Sequence, residues 1–396
     1  MMQISPEIQL FIHEHSSDDV RVLALQAKKY PDIDMPTAIT QIAGRKVAAE
    51  KIPSWWEIEK IWYPKHLSLE QCSSEITARY KARLLQGDSL TDLTGGFGID
   101  CSFLATGFKS ATYVERQEEL CEIAAHNFPV LNLNHINIKN EDGVTYLQAM
   151  SPVDCLFLDP ARRNEHGGKT VAISDCEPNV AELEELLLQK ANRVMIKLSP
   201  MLDLSLALKE LKQTQEVHIL SVNNECKELL ILLGQTSPEE ISIHCVNLFT
   251  KGTQKEQHFV FTREQEQCSE CTYTDSLETY LYEPNASLLK AGAFRSIAAA
   301  YPVRKLHPNS HLYTSDTFIE NFPGRIFRIV NQCSFNKKEV KENLADLKKA
   351  NVTVRNFPAT VAELRKRIHL AEGGDTYLFA STLNNGQKVL IRCEKV

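Results

Sequence analysis

A chain of 396 residues exceeds one ordinary domain of roughly 100–200 residues, so two to four folding units are expected. Its 43% hydrophobic and 24% charged residues exclude a disordered, collagen-like or low-complexity protein. Lys and Arg number 44 against 51 Asp and Glu, yet residues 321–396 hold 14 Lys and Arg against 7 Asp and Glu. A basic tail on an acidic body fits an anionic partner at that end and equally a solvated basic face.

No apolar run approaches the ~20 residues of a membrane helix, and MMQISPEIQLFIHEHSSDD lacks the pattern of a secretory signal, so neither membrane nor export is expected. Eleven cysteines without framework spacing imply reduced thiols and a cytoplasmic setting.

Residues 1–87 read as a helical domain. Asp18-Asp19 open a periodic run that stops at Pro31, and a second run, Ala38 to Ala49, ends before Pro53. Ser68 caps a long segment, LEQCSSEITARYKARLL, with Gly87 as its stop. From residue 88 the texture changes. SLTDL, SATYVE, HINIK, VDCLFLD, RVMIKLS and EVHILSV read as strands, with helical patterns between most of them. That alternation predicts an α/β domain over 88–235 with a mainly parallel sheet. KELLILLG follows EVHILSV across Asn223-Asn224 and closes the sheet with an antiparallel strand. Residues 236–320 read as a small α+β, ferredoxin-like domain, with LLKAGAFRSIAAAY as one helix ended by Pro302. Residues 321–396 alternate strand and helix again and form the last domain.

The chemistry concentrates in DLTGGFGID, residues 92–100, between a strand and a helix. Gly96 and Gly98 permit a tight turn and leave bare backbone beside a ligand. Glu115 ends the second strand, the distance from Asp92 expected of a carboxylate that takes ribose hydroxyls. Asp142 follows the third strand, where an acid meets an adenine amino group, and Asp159-Pro160 ends the fourth. All of these fall at the carboxyl ends of strands, where open parallel sheets bind ligands. From Gly96 the loop reads G-F-G-I-D-C, without the third glycine of a dinucleotide dehydrogenase.

This set resembles the class I S-adenosylmethionine-dependent methyltransferases, whose Rossmann-like core has an antiparallel last strand. Their D-x-G-x-G-x-G motif is matched from Asp92, with Thr94 in place of the first glycine and Gly95, Gly96 and Gly98 following. The whole chain is similar to a bacterial methyltransferase family with a THUMP-like C-terminal domain. The residues that carry this are LSLEQCSSEITARYKA, DLTGGFGID, LDPARR and VRNFPATVAELRKRI…EGGDTYLFASTL.

The resemblance implies S-adenosylmethionine as cofactor, its ribose on Glu115 and its adenine near Asp142. The methionine end would lie over Gly95–Gly98, covered by Ser73, Ser74 and Glu75. It also implies RNA as partner. Enzymes that methylate amino groups of bases carry Asp, Asn or Ser, then Pro-Pro and an aromatic residue, at the fourth strand; here Ala161 and Arg162 follow Asp159-Pro160.

Arg162, Arg163 and Lys169 belong to a long polar stretch, 161–175, which reads equally as a substrate loop or a surface loop. Arg365, Lys366 and Arg367 are candidates for RNA backbone contact on a predicted helix. A thiolate mechanism is set aside, because Cys155 lies within a predicted buried strand and Cys176 in the loop after it. Cys268-Ser-Glu-Cys271 has metal-like spacing, with His244, Cys245 and His258 upstream, but lacks a second ligand pair, so no metal is expected.

The expected function is methylation of a nitrogen of an RNA base, in tRNA or rRNA. A non-catalytic RNA-binding or assembly protein on the same fold stays open, as does a methyltransferase for a small molecule or protein. No oligomeric state is implied.

Overall fold

The computed structural model describes residues 4–162, 172–236 and 238–396, with the backbone alone for His66 and Arg162. Helices open the chain, each where a short polar side chain can cap it. Ser5 caps α1 (Pro6–Glu14), Asp19 caps α2 (Val20–Leu25) and Asp34 caps α3 (Met35–Lys51). Ile8, Phe11, Leu23, Met35, Ala38 and Ile42 bury their faces together.

After α4 (Pro53–Trp56), the expected long helix is divided into α5 (His66–Gln71) and α6 (Glu75–Ala82). The break has a tertiary cause. Cys72 and Ser74 are extended, and Ser73 between them turns its hydroxyl to the buried Asp100 carboxylate at 2.7 Å.

Two compact units follow from the packing: residues 1–215 with 229–238, and residues 216–228 with 239–396. In the first, strands and helices alternate as β1 (Ser89–Asp92), α7 (Ile99–Ala105), β2 (Ser110–Glu115), α8 (Glu118–Val130), β3 (Ile136–Asn140), α9 (Gly143–Ala149) and β4 (Val153–Leu158). A two-stranded ribbon, β5 (Ala161–Arg162) with β6 (Cys176–Glu177), precedes α10 (Val180–Lys190), β7 (Ala191–Leu198) and α11 (Leu204–Glu210).

β1 pairs in parallel with β2 and β4, β2 with β3, and β4 with β7. β8 (Thr214–Val222) and β9 (Glu225–Gly234) are joined by Asn223 and Asn224, whose positive φ angles of 49° and 69° suit a tight hairpin. β9 runs antiparallel to β7, and the strand order within the first unit is β3-β2-β1-β4-β7-β9. This is the expected Rossmann-like methyltransferase sheet, antiparallel strand included. β1, β4 and β7 are nearly continuous runs of buried residues, as strands covered on both faces must be.

In the second unit, β10 (Ser242–Leu248) lies parallel to β8, and β11 (Glu256–Thr262) antiparallel to β10. α12 (Arg263–Cys268) and β12 (Tyr280–Pro284) follow. The predicted helix over 288–301 is two helices, α13 (Ala286–Ala291) and α14 (Phe294–Ala300), because Gly292 takes a φ of 80° and ends the first.

The remaining elements are β13 (Arg304–Lys305), β14 (Tyr313–Ser315), β15 (Gly324–Ser334), α15 (Lys337–Leu344), β16 (Asn351–Val354), α16 (Val361–Ile368), β17 (Thr376–Thr382) and β18 (Lys388–Lys395). They build a sheet of order β13-β14-β12-β15-β18-β17-β16. No described helix is long and apolar enough to cross a membrane.

Candidate active site

β1 ends in Asp92, which is buried, with Oδ1 accepting the Thr94 N–H at 3.0 Å. Its Oδ2 is buried without a hydrogen-bond partner. Burial therefore drives this carboxyl's pKa well above the usual range. The loop that follows needs its glycines for different reasons. Gly96 has a φ of 54° and open space where a Cβ would stand, the nearest atom being the Thr94 carbonyl oxygen at 3.8 Å. Gly98 has a φ of 87° and sits against Phe128, while a Cβ on Gly95 would collide with Tyr113. Gly95 and Gly98 are thus packing requirements, and Gly96 leaves a bare, accessible turn.

Glu115, at the end of β2, is buried and faces this turn: Oε2 accepts the Gly96 N–H and Oε1 the Gln117 N–H, both at 2.9 Å. Tyr113 donates its hydroxyl to the Gly96 carbonyl from the same strand. Asp142 is exposed and caps α9, with Oδ1 accepting from Val144 and Thr145 at 3.0 Å each. Ser74 holds the N-cap position of α6 without a side-chain capping bond, and the Glu75 carboxylate receives the Ser54 N–H at 2.8 Å and Arg79 at 2.7 Å. Glu75 therefore fastens α6 to α4.

β4 ends at Leu158, and the Asp159 N–H donates to the Thr94 hydroxyl at 2.6 Å. The Asp159 carboxylate meets the Lys197 ammonium, carried by β7, at 2.5 Å. Lys197 also reaches Asp100 at 3.1 Å and the Ser73 hydroxyl at 3.0 Å. Lys81, fully buried on α6, completes the group at 3.1 Å from Asp100. Burial would raise the Asp100 pKa, but Lys197 and Lys81 together outweigh it and hold the carboxyl well below the usual range. At Asp159 burial wins over Lys197 and the pKa rises. Two buried ammoniums, the buried Asp100 and the partly exposed Asp159 thus meet where α6, α7, β7 and the end of β4 come together.

Sequence reasoning named Asp159 and missed Lys197, Lys81 and Asp100. One signal was present: a lysine inside VMIKLS, an otherwise apolar strand, must find a partner when buried.

Pro160 is buried behind Asp159, and Arg162 is placed by its backbone alone, opposite Cys176. Arg163 and Lys169 lie outside the described residues. The cysteines near strand four are poor nucleophiles: Cys176 is buried, and burial pushes the Cys155 thiol up to about 11.

On α16, Arg365 is half-buried and 3.7 Å from Glu372, Lys366 is exposed, and the Arg367 guanidinium lies 4.0 Å above the Phe335 ring. In the neighbouring VRNF stretch, Arg355 grips the buried Glu283 at 3.0 Å, alongside Arg325, and Asn356 bonds His307 at 2.9 Å. These residues hold the second unit together.

Sheet order, glycine loop and strand-end acids define a protein of the methyltransferase fold. Family models match a ferredoxin-like domain over residues 280–323 and a THUMP-like domain over 324–395. A solved structure from Porphyromonas gingivalis W83, described as a "putative methyltransferase", is 35% identical, with a TM-score of 0.87 and 98% of each chain covered. The chain belongs to this family of methyltransferase-fold proteins with a THUMP-like C-terminal domain. Weaker likenesses include a Streptococcus mutans "putative methyltransferase" in complex with SAH (13% identity, TM-score 0.30, covering 40% of this chain and 96% of that one). Another is an rRNA methylase of Streptococcus thermophilus (14% identity, TM-score 0.29, 40% and 93% covered). Those two are too distant to inform this site. No curated protein matches the chain.

Proposed function

We propose that the protein is an S-adenosylmethionine-dependent methyltransferase acting on a nitrogen of an RNA base, in tRNA or rRNA. The observation that carries this is the Glu115 carboxylate held by the Gly96 N–H at 2.9 Å, at the open face of the glycine turn. A carboxylate in that position has lone pairs left for ribose hydroxyls, and the missing Cβ of Gly96 leaves room for a methionine chain. The unpartnered Asp92 oxygen is a further polar atom suited to a ligand beside the turn. Asp142 keeps its exposed position after β3, available to an adenine amino group while it caps α9.

When bound, the cofactor supplies a methyl group already activated by a positively charged sulfur, so the protein's work is alignment and charge placement. Asp159 is the acceptor's orienter: its carboxylate is fixed by Lys197 and its N–H by Thr94, so it presents an oxygen in a set direction to an amino proton. Pro160 shapes the turn, and Arg162 and Arg163 would meet the anionic substrate. RNA as substrate class rests on the THUMP-like match and on the basic balance of residues 321–396, where Lys366 and its neighbours would contact phosphates.

The test is mass spectrometry of modified nucleosides in RNA from cells with and without the protein. One methylated nucleoside should vanish from tRNA or rRNA and return when the purified protein and labelled cofactor are added to the deficient RNA. An unchanged nucleoside profile together with no labelled transfer would refute the reading.

A further inference from the structure

Three imidazoles and a carboxylate gather on one sheet face of the second unit, away from the glycine loop in sequence and unused by methyl transfer. In the parallel pairing of β8 with β10, His218 stands beside His244, and Glu216 beside Ser242. Residues two apart on a strand share a face, so Glu216, His218 and His244 project together. β11 adds His258, opposite Val246 and therefore on that face as well.

The geometry is close. One carboxylate oxygen of Glu216 and one ring nitrogen each of His218 and His244 lie within 4.8 Å of one another. The His218 and His244 rings stack with centroids 4.3 Å apart, and His244 Nδ1 is 3.1 Å from His258 Nε2. His218 is buried, Glu216 and His244 are half-buried, and His258 is exposed, which leaves an entry side.

We infer that Glu216, His218 and His244, with His258 as fourth ligand, form a binding site for a divalent transition-metal ion of the zinc class. Nitrogen and carboxylate oxygen are the donors such ions take, four in number at a structural site. Ligands ~2.0–2.2 Å from a tetrahedral zinc stand roughly 3.3 Å apart, so modest side-chain rotations on neighbouring strands close the set. The ligands must be neutral imidazoles and an ionised carboxylate. The ion would pin β8, β10 and β11 together. The alternative is a hydrogen-bonded imidazole chain, in which one nitrogen of the His244–His258 pair donates to the other. Cys268 and Cys271, the pair with metal-like spacing, take no part in the set.

The test uses the full chain, stripped with chelator and titrated with zinc chloride by calorimetry near neutral pH. Cobalt(II) chloride serves as a spectroscopic probe. The expected result is one equivalent bound, a four-coordinate cobalt spectrum, and a melting temperature raised by roughly 5 °C or more at ~100-fold excess of free ion over Kd. His244→Asn and Glu216→Gln should each weaken binding by more than the ~10–100-fold lost with an outer partner of a metal-bound residue. Cys268→Ser with Cys271→Ser should leave it unchanged. Circular dichroism confirms that each variant is folded. Absence of stoichiometric binding by the wild type would overturn the inference. So would binding that survives both ligand variants or that is lost with the cysteines.

Discussion

Replacing Lys197 by methionine removes one ammonium from the buried charge set while keeping most of the side chain's volume. The lost contacts are Asp159 at 2.5 Å, Asp100 at 3.1 Å and the Ser73 hydroxyl at 3.0 Å. Asp159 is partly exposed and can recover water, but Asp100 cannot and keeps only Lys81 and the Ser73 hydroxyl. Breaking a buried pair from one side costs ~3–5 kcal/mol, because a charge stays behind without compensation. In a unit of this size that is a fall in melting temperature of roughly 6–20 °C, at ~2–4 °C per kcal/mol.

The pH dependence has a definite sign. The Asp100 pKa is depressed in the folded state, so its stabilising contribution is complete above the ordinary carboxylate range and is lost as pH falls through and below that range. The deficit of Lys197→Met should therefore be largest at neutral pH and shrink in acid. Adding Asp100→Asn removes the stranded charge, so the double variant should be more stable than the two single effects predict, by ~1–3 kcal/mol. Thermal and urea unfolding of the four proteins measures this. A single variant within ~0.5 kcal/mol of wild type, or strict additivity, would show that Lys197 and Asp100 do not depend on one another.

Glu115→Ala should weaken S-adenosylmethionine binding by ~1–3 kcal/mol in calorimetry, the cost of leaving the Gly96 N–H and ribose hydroxyls unpaired; an unchanged Kd removes Glu115 from the site. Asp159→Ala should abolish methyl transfer and keep cofactor affinity within a few-fold. Lost affinity with retained turnover at saturating cofactor would make Asp159 a cofactor ligand instead. Replacing Arg365, Lys366 and Arg367 with alanine should weaken RNA binding and flatten its salt slope by ~1 per lost phosphate contact. The change should stay nearer one unit than three, since Arg365 is tied to Glu372 and Arg367 lies over Phe335. An unaltered slope would exclude α16 from the RNA surface.

The sheet was legible because its strands are short apolar runs bounded by turn residues, and the antiparallel β9 was legible because Asn223-Asn224 leaves room only for a hairpin. Helix ends were less so. Nothing in the periodicity of residues 69–85 marks the break at Cys72–Ser74, which is made by Ser73 bonding Asp100, a partner 27 positions on. The strand-end acids could be found by position, as Asp92, Glu115 and Asp159 were. Lys197 left one trace, a lysine inside an apolar strand, but its partners and Lys81 could not be read, because their pairing with Asp100 depends on three elements meeting in space. The imidazole cluster was only half legible, since His244 and His258 stood out beside the cysteine pair while Glu216 and His218 become their neighbours only through the register of β8, β10 and β11.

Thr94 stands where related glycine loops have their first glycine, and the structure gives that departure a use. Its N–H is taken by Asp92 at 3.0 Å, and its hydroxyl accepts the Asp159 N–H at 2.6 Å. A glycine would keep the first contact and lose the second, leaving the backbone of Asp159 to find another partner. The hydroxyl thus ties the glycine loop directly to Asp159, the proposed orienter of the acceptor, and movement of one is felt by the other. Thr94→Val keeps the shape and removes the acceptor, at a cost of ~1–3 kcal/mol for the unsatisfied N–H if it stays buried. The expected effect is on turnover more than on cofactor binding, because Glu115 and Gly96 are untouched while Asp159 is freed to shift, and misplacement by ~1 Å is worth up to ~100-fold in rate. Thr94→Ser, which restores the hydroxyl, should recover most of the rate. Steady-state kinetics on the two variants separates the cases: equal rates for serine and valine would mean that the hydroxyl only fills space, and that the two motifs act independently.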